Sequence, residues 1–376
     1  MSKACNLKSN QKVFYLQINQ VASCSCARGS TIAPSDNIDL YIDRWNQEKQ
    51  QLTDGIELAD CQYCWKDERQ GKISFRQKAE FTDTNLIELY ISNLCNHMCS
   101  YCSPKYSSIW EESIKTHGIF QNISSTAKNN LIKTHSVADI DRWITQIENY
   151  IHTCDDNSVS LKLLGGEPLM QQRNLEKLLS FNSNKIKRLS VHTNLNPPTN
   201  KFLIWLLDNI DINKLNVIIS LDASADYNHI PRAGFNKDRF SQNLELLTNN
   251  NIDFSFNAII SVLSVFDLEN FITWGNNNNF KIAFNKLNNP DCLDPIYIPL
   301  KFREQIWKKI SQLSIDPVIA EIFQQQNDIN DLKLIEQYNY LTQYFNRTDI
   351  VVNQIDNDIF CEYWSWLTNF VDRKIK

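Results

Sequence analysis

From about residue 84 to residue 289 the chain alternates short apolar runs with longer helical stretches, and this period restricts it to folds built on a parallel sheet. The runs cover 86–91, 158–164, 188–192, 216–221, 254–260 and 280–285. The stretches between them, 138–152, 174–181, 200–209, 240–249 and 268–276, place apolar residues at i, i+3 and i+4, the spacing of a helix with one buried face. A partial barrel of six units and an open, doubly wound sheet share this pattern. In both, binding and chemistry sit at the C-terminal ends of the strands.

Around this period lie two regions of different character. Upstream, an alternating run at 13–18 precedes Cys24 and Cys26, a helix candidate at 38–51, and the pair Cys61 and Cys64. Beyond Pro290 the alternation stops, and 299–313, 320–327 and 331–344 read as helices. With 42% hydrophobic and 22% charged residues the chain has the composition of a folded globular protein. Its net charge of −5 argues against neutralising phosphates as its main work, so no nucleic-acid partner is expected. No apolar run reaches the roughly 20 residues that span a bilayer, and the first residues carry no signal-like apolar core. The expected location is the cytoplasm, without a membrane partner. In that reducing compartment eleven cysteines point to metal ligation rather than to disulfides.

Three of them, Cys95, Cys99 and Cys102, stand in Cys-x3-Cys-x2-Cys spacing directly after the first apolar run of the series. Three thiolates leave a four-iron cluster, or a tetrahedral metal site, one ligand short. The open position is available to a substrate or cofactor. One unit later comes Gly165-Gly166-Glu167-Pro168, where two glycines allow close backbone approach to a ligand and a carboxylate can hold an ammonium group. Later strand ends add Thr193, Asn194, Ser220 and Asp222, and Arg232 and Asn257 are candidates for the same cavity.

This arrangement resembles the radical S-adenosylmethionine superfamily. The resemblance implies that Cys95, Cys99 and Cys102 hold a [4Fe–4S] cluster and that S-adenosylmethionine chelates its open iron. It assigns the adenine to Tyr101 and the methionyl amino group to the Gly165–Pro168 run. Thr193, Asn194, Ser220 and Asp222 suit the ribose hydroxyls and the methionyl carboxylate, and Arg232 a carboxylate of cofactor or substrate. The glycine-rich signature usual near the fifth strand is not evident. The fold then expected is α/β: a partial (βα)6 TIM-like barrel over 84–289, a small cysteine-rich N-terminal auxiliary-cluster module over 1–83, and a helical C-terminal extension over 290–376.

Cys24, Cys26, Cys61 and Cys64 supply four thiolates, enough for a second iron–sulfur cluster or for structural zinc. Their order resembles twitch or SPASM modules of peptide-modifying members, although those modules usually follow the barrel. Cys5, Cys154, Cys292 and Cys361 show no comparable spacing and most of them read as buried thiols, with Cys292 or Cys361 as possible replacements for one upstream ligand. The aromatic tail 363–370 reads as packing.

The resemblance implies reductive cleavage of S-adenosylmethionine and hydrogen abstraction from a ribosomally made precursor peptide, leading to a cross-link, an epimerisation or excision of backbone. Its partners would be that peptide, a separate leader-recognition protein, and an external electron donor such as flavodoxin or ferredoxin. A radical enzyme acting on a small metabolite would share every motif. A non-catalytic iron–sulfur sensor would keep the cysteines but have no need of Gly165–Pro168.

Overall fold

The computed structural model describes residues 5–27, 29–33, 35–78, 85–132, 139–287, 289–325 and 330–375. Its centre is a nine-stranded sheet, formed by β1 (Gln11–Tyr15), β2 (Gln20–Ala22), β3 (Ser30–Thr31), β4 (Asn85–Tyr90), β6 (Val159–Leu164), β7 (Ile186–Thr193), β8 (Leu215–Ser220), β10 (Asp253–Ile260) and β11 (Ile282–Lys286). Two further strands, β5 (Met98–Cys99) and β9 (Arg232–Ala233), make a separate antiparallel pair. All six expected runs are strands of the sheet, with bounds within two residues of expectation.

The strand order is β11-β10-β8-β7-β6-β4-β1-β2-β3, and the neighbours from β11 to β1 all pair in parallel. The upstream region therefore contributes a strand to the main sheet. β1 runs beside β4 from Gln11 opposite Leu86 to Tyr15 opposite Tyr90, with Val13 and Phe14 fully buried. The 83/84 boundary expected from the sequence falls outside the described residues.

Helices pack their apolar faces on this sheet. The helix Ile140–Thr153 starts where the Asp139 side chain accepts the Arg142 N–H, and buries Trp143, Ile144, Ile147 and Ile151. Residue 138, included in the expected helix, is outside the described residues. Each large apolar side chain so buried contributes about 1.5–3 kcal/mol. Beyond the period, helices cover Leu300–Ile310, Pro317–Gln324, Asp331–Phe345 and Asp358–Ile375. Asp316 caps the second of these and Pro317 opens it, which moves its start ahead of the expected 320; residues 326 and 327 lie outside the described residues. The aromatic tail is a helix whose Tyr363, Leu367 and Val371 are in the core. Among the described residues no helix is long and apolar enough to cross a membrane.

Candidate functional site

The loop that leaves β4 carries the cysteine triplet, and its backbone is fixed from several sides. Cys95 N–H donates to Ser108 Oγ, and that hydroxyl donates back to Cys95 O, both at 3.1 Å. Cys99 lies in β5, opposite Arg232 of β9, and its carbonyl accepts from Trp110 Nε1 at 2.8 Å. The Tyr340 hydroxyl donates to Ser100 O at 2.8 Å and the Tyr344 hydroxyl to Met98 O at 3.0 Å. Buried carbonyls of an irregular loop need such donors, so the helix Asp331–Phe345 serves as a support of the cysteine loop. The sequence reading missed this role.

Gly166 explains why the Gly-Gly-Glu-Pro turn sits where it does. Its N–H donates to Ser92 O at 3.0 Å, and the next N–H, of Glu167, donates to Leu94 O at 2.8 Å. A Cβ on Gly166 would lie 2.2 Å from Leu94 O. The close approach anticipated from the sequence is thus made to the cysteine loop of the same chain. On the loop's other side, Gly234 has φ +95° and a Cβ there would lie 2.5 Å from Asn96 O.

At the C-terminal ends of the parallel strands this loop walls a cavity of about 270 Å³. Cys95, Cys99 and Cys102 line it together with Tyr101, Gly165, Gly166, Thr193 and Asn194. Ser220, Arg232 and Asn257 complete the part anticipated from the sequence, while Glu167, Pro168 and Asp222 do not line it. The parallel register brings these ends level, with Tyr90 opposite Leu164, Thr193 opposite Ile219, and Ser220 opposite Asn257. Two lining residues that the sequence reading missed are His97 and His192. Burial drives His97 down to about 3 and His192 down to about 4, so both imidazoles are neutral near pH 7. Their signal in the sequence was a single polar side chain inside an apolar strand end or between two cysteines, which many core residues share.

Beneath the cavity is a buried ion pair. Arg232 Nε donates to Asp222 Oδ2 at 2.8 Å and its Nη2 to Asp222 Oδ1 at 3.1 Å, a two-pronged contact. Asp222 also accepts from the Tyr101 hydroxyl at 2.7 Å and from Ile259 N–H at 2.9 Å. The remaining guanidinium arm, Nη1, lies 3.6 Å from Cys99 Sγ. Asp222 is therefore the anchor of Arg232 and Tyr101 rather than a wall of the cavity.

Glu167 has a comparable task. Its carboxylate, wholly buried, accepts from Thr193 Oγ1 at 2.6 Å, Asn194 N–H at 2.7 Å and Leu169 N–H at 2.9 Å. It ties the end of β7 to the Gly-Gly turn. Asn194 in turn donates to Asn96 Oδ1 at 3.0 Å, which joins β7 to the cysteine loop. Burial outweighs the three donors and pushes the Glu167 carboxyl from its usual 4.5 up to about 7. Because the folded pKa is raised, the folded chain keeps a proton that the unfolded chain has released between these values. The associated stability is complete below pH 4.5 and is lost as pH rises through about 7. Unfolding measured across this interval should show that decline in the native chain and a flatter profile in Glu167→Gln, which cannot ionise. Equal slopes would mean that the carboxyl titrates at its ordinary pH.

The cavity suits an iron–sulfur cluster by its donor set. All three thiols line it, the Arg232 guanidinium offers positive charge beside Cys99, and among the described residues no carboxylate lines the space. Burial pushes all three thiols up, Cys102 to about 12, so ligation must displace their protons. Among the described residues no three His, Cys, Asp or Glu side chains converge on a point that would hold a single metal ion.

The upstream cysteines also come together. Cys24, Cys61 and Cys64 are buried and Cys26 is half-buried, none of them in a disulfide. The thiols of Cys24 and Cys26 are hydrogen-bonded to each other, and this contact lowers the Cys26 thiol. Burial pushes Cys61 up to about 12. Cys292 and Cys361 sit elsewhere, Cys292 in the core near Gln337 and Cys361 at the start of the last helix.

No family model matches the chain. It is 27% identical over 180 residues to the radical SAM cyclopropyl synthase TigE of Paramaledivibacter caminithermalis, covering 46% of this chain and 35% of that protein. The chain thus spans about a third of the length of that curated relative. Among solved structures, anSMEcpe with bound AdoMet shares 17% identity at a TM-score of 0.41 over 59% of each chain. SuiB of Streptococcus suis bound to S-adenosylmethionine shares 13% at a TM-score of 0.39, over 73% of this chain and 58% of that one. SuiB bound to precursor peptide SuiA is similar at 13% identity and a TM-score of 0.36, over 85% of this chain and 53% of that one. Over 46% of its length, then, the chain is similar to a radical SAM enzyme.

Proposed function

We propose that the parallel strands β4, β6, β7, β8, β10 and β11 form a partial (βα)6 barrel whose mouth is the 270 Å³ cavity, and that this cavity is the catalytic centre. Cys95, Cys99 and Cys102 would hold a [4Fe–4S] cluster, with S-adenosylmethionine beside it. The observation that carries this reading is that the three thiols and residues of five neighbouring strands, β4, β6, β7, β8 and β10, line one cavity. When bound, this pair supplies reductive cleavage of S-adenosylmethionine and a carbon radical able to abstract hydrogen.

The chain's own part is to orient and exclude. Gly165 and Gly166 expose bare backbone to the cavity, and Ser220 and Asn257 offer a hydroxyl and an amide. Arg232, held by Asp222, directs positive charge at the cavity wall beside Cys99. Thr193 and Asn194 line the space, but part of their hydrogen-bonding capacity is spent on Glu167, Asn96 and the following loop. Neutral His97 and His192 add polar walls that bring no charge.

For the substrate we read a ribosomally made precursor peptide, with the upstream residues 1–83 as an auxiliary-cluster module, 84–289 as the barrel and 290–376 as an extension. The twitch-like order of the upstream cysteines supports this, as does the strand β1 by which the upstream region borders β4. A separate leader-recognition protein and a flavodoxin- or ferredoxin-like donor complete the system. The test is anaerobic incubation of the reduced, cluster-loaded chain with S-adenosylmethionine and peptides encoded beside it, read by mass spectrometry. A mass change or solvent-deuterium incorporation in one peptide is expected. Cofactor cleavage with every peptide unchanged, and a metabolite consumed, would replace the peptide with a small molecule.

A further inference from the structure

Cys5 stood apart in the sequence, nineteen residues ahead of Cys24 and in no metal-binding spacing. The fold brings it to the upstream group. Cys5 is buried in one apolar cluster with Cys61, Leu52 and Trp65, where the start of the chain meets the helix Ile38–Thr53 and the helix Gln62–Arg69. Its carbonyl accepts the Ser9 N–H, so a turn of helix leads from it into β1.

The surroundings are those of an anionic site. Lys8, one turn after Cys5, is buried with its Nζ 2.6 Å from Ser23 Oγ and 2.8 Å from Glu48 Oε2. Its charge favours the thiolates of both Cys24 and Cys61. Arg76, paired with Glu68 at 2.6 Å and stacked 4.8 Å over Trp65, lies within electrostatic reach of Cys5 and Cys64. Each cation also has a carboxylate of the chain as its partner, Lys8 with Glu48 and Arg76 with Glu68. Thiolates bound to iron carry negative charge that such cations offset.

Five cysteines now share a place that needs four. Cys5, Cys24, Cys61 and Cys64 are buried, whereas Cys26 is half-buried and its thiol is hydrogen-bonded to that of Cys24. We propose that the upstream site is an iron–sulfur centre ligated by Cys5, Cys24, Cys61 and Cys64, with Cys26 outside the ligand set. This rests on the reading of the upstream group as a second cluster, and adds to it the identity of the fourth ligand. The site is built by the chain's first turn, its hairpin and the helix before β4, and it stands beside the cavity. Tyr15, at the end of β1, is within electrostatic reach of Cys24 and Cys26, and its ring is 4.6 Å from that of the cavity residue Tyr90.

The full chain with Cys95, Cys99 and Cys102 all replaced by Ala leaves only the upstream site to load. Reconstituted anaerobically with iron and sulfide, it is expected to hold about four irons per chain. Adding Cys5→Ala should lower bound iron at least threefold, while adding Cys26→Ala or Cys361→Ala should leave it unchanged. Cys5→Ser, with the far-ultraviolet circular dichroism of its parent, separates a lost ligand from a lost fold and should lose iron as Cys5→Ala does. If Cys26→Ala loses the iron and Cys5→Ala keeps it, the assignment of Cys5 is overturned and the second cluster stands. If the triple variant binds no iron, or binds zinc, the second-cluster reading itself fails.

Discussion

Asp222→Ala should destabilise the folded chain by about 3–5 kcal/mol, because it leaves the buried Arg232 guanidinium without its carboxylate. The side chain of Asp222 is completely buried, and that of Arg232 nearly so. The loss reaches beyond the pair, since Asp222 also accepts from Tyr101 and from the backbone of β10 at Ile259. Chemical denaturation of the cluster-free chain measures it. Combining Asp222→Ala with Arg232→Met removes the stranded charge, and the double variant should recover a good part of the stability. A loss under 1 kcal/mol in Asp222→Ala would show that Arg232 reaches water or another anion, contrary to the geometry above. The expected consequence for the site is a misplaced Tyr101 ring and a guanidinium no longer aimed at Cys99.

Gly166→Ala should be as damaging, by a different route. The new Cβ meets the backbone carbonyl of Leu94 at 2.2 Å, and backbone cannot swing aside as a long side chain can. The overpacking costs about 1–3 kcal/mol or more, and it falls on the loop that carries Cys95. The variant should retain at least several-fold less iron at Cys95, Cys99 and Cys102 after reconstitution. Gly71→Ala is the control for an added methyl without a clash, since Gly71 has a left-handed φ of +72° but nothing within 4 Å of the added Cβ. It should lose only about 1 kcal/mol and keep its iron. Equal iron in both variants would show that the Gly-Gly turn does not set the position of the cysteine loop.

The parallel sheet could be read from the chain because its signal is local. Each strand from β4 to β11 in the main sheet is a short apolar run, and the helix beside it, such as Ile140–Thr153, shows its buried face in the spacing of Trp143, Ile147 and Ile151. The cysteine triplet was legible for the same reason, its ligands lying within eight residues. What escaped were contacts between distant segments. β1 pairs with β4 across some seventy residues, and nothing in the alternation of 11–15 names its neighbour. Cys5 meets Cys61 only because the first turn packs against two helices. Tyr340 and Tyr344 lie on a helix with ordinary periodicity, yet their hydroxyls serve carbonyls more than two hundred residues upstream. Glu167, Thr193 and Asp222 were recognised as polar groups at strand ends, which they are. Glu167 and Asp222 spend their oxygens on the chain itself, a partition that spacing cannot reveal.

The central claim is that Cys95, Cys99 and Cys102 and the cavity they line support cleavage of S-adenosylmethionine. Its most direct test is quantification of 5′-deoxyadenosine after the anaerobically loaded, reduced chain is given S-adenosylmethionine. The native chain should release 5′-deoxyadenosine, and the variant with all three cysteines replaced by Ala should release none while losing about half of the total iron. Undiminished 5′-deoxyadenosine from that variant, or none from the fully loaded native chain, would contradict the account.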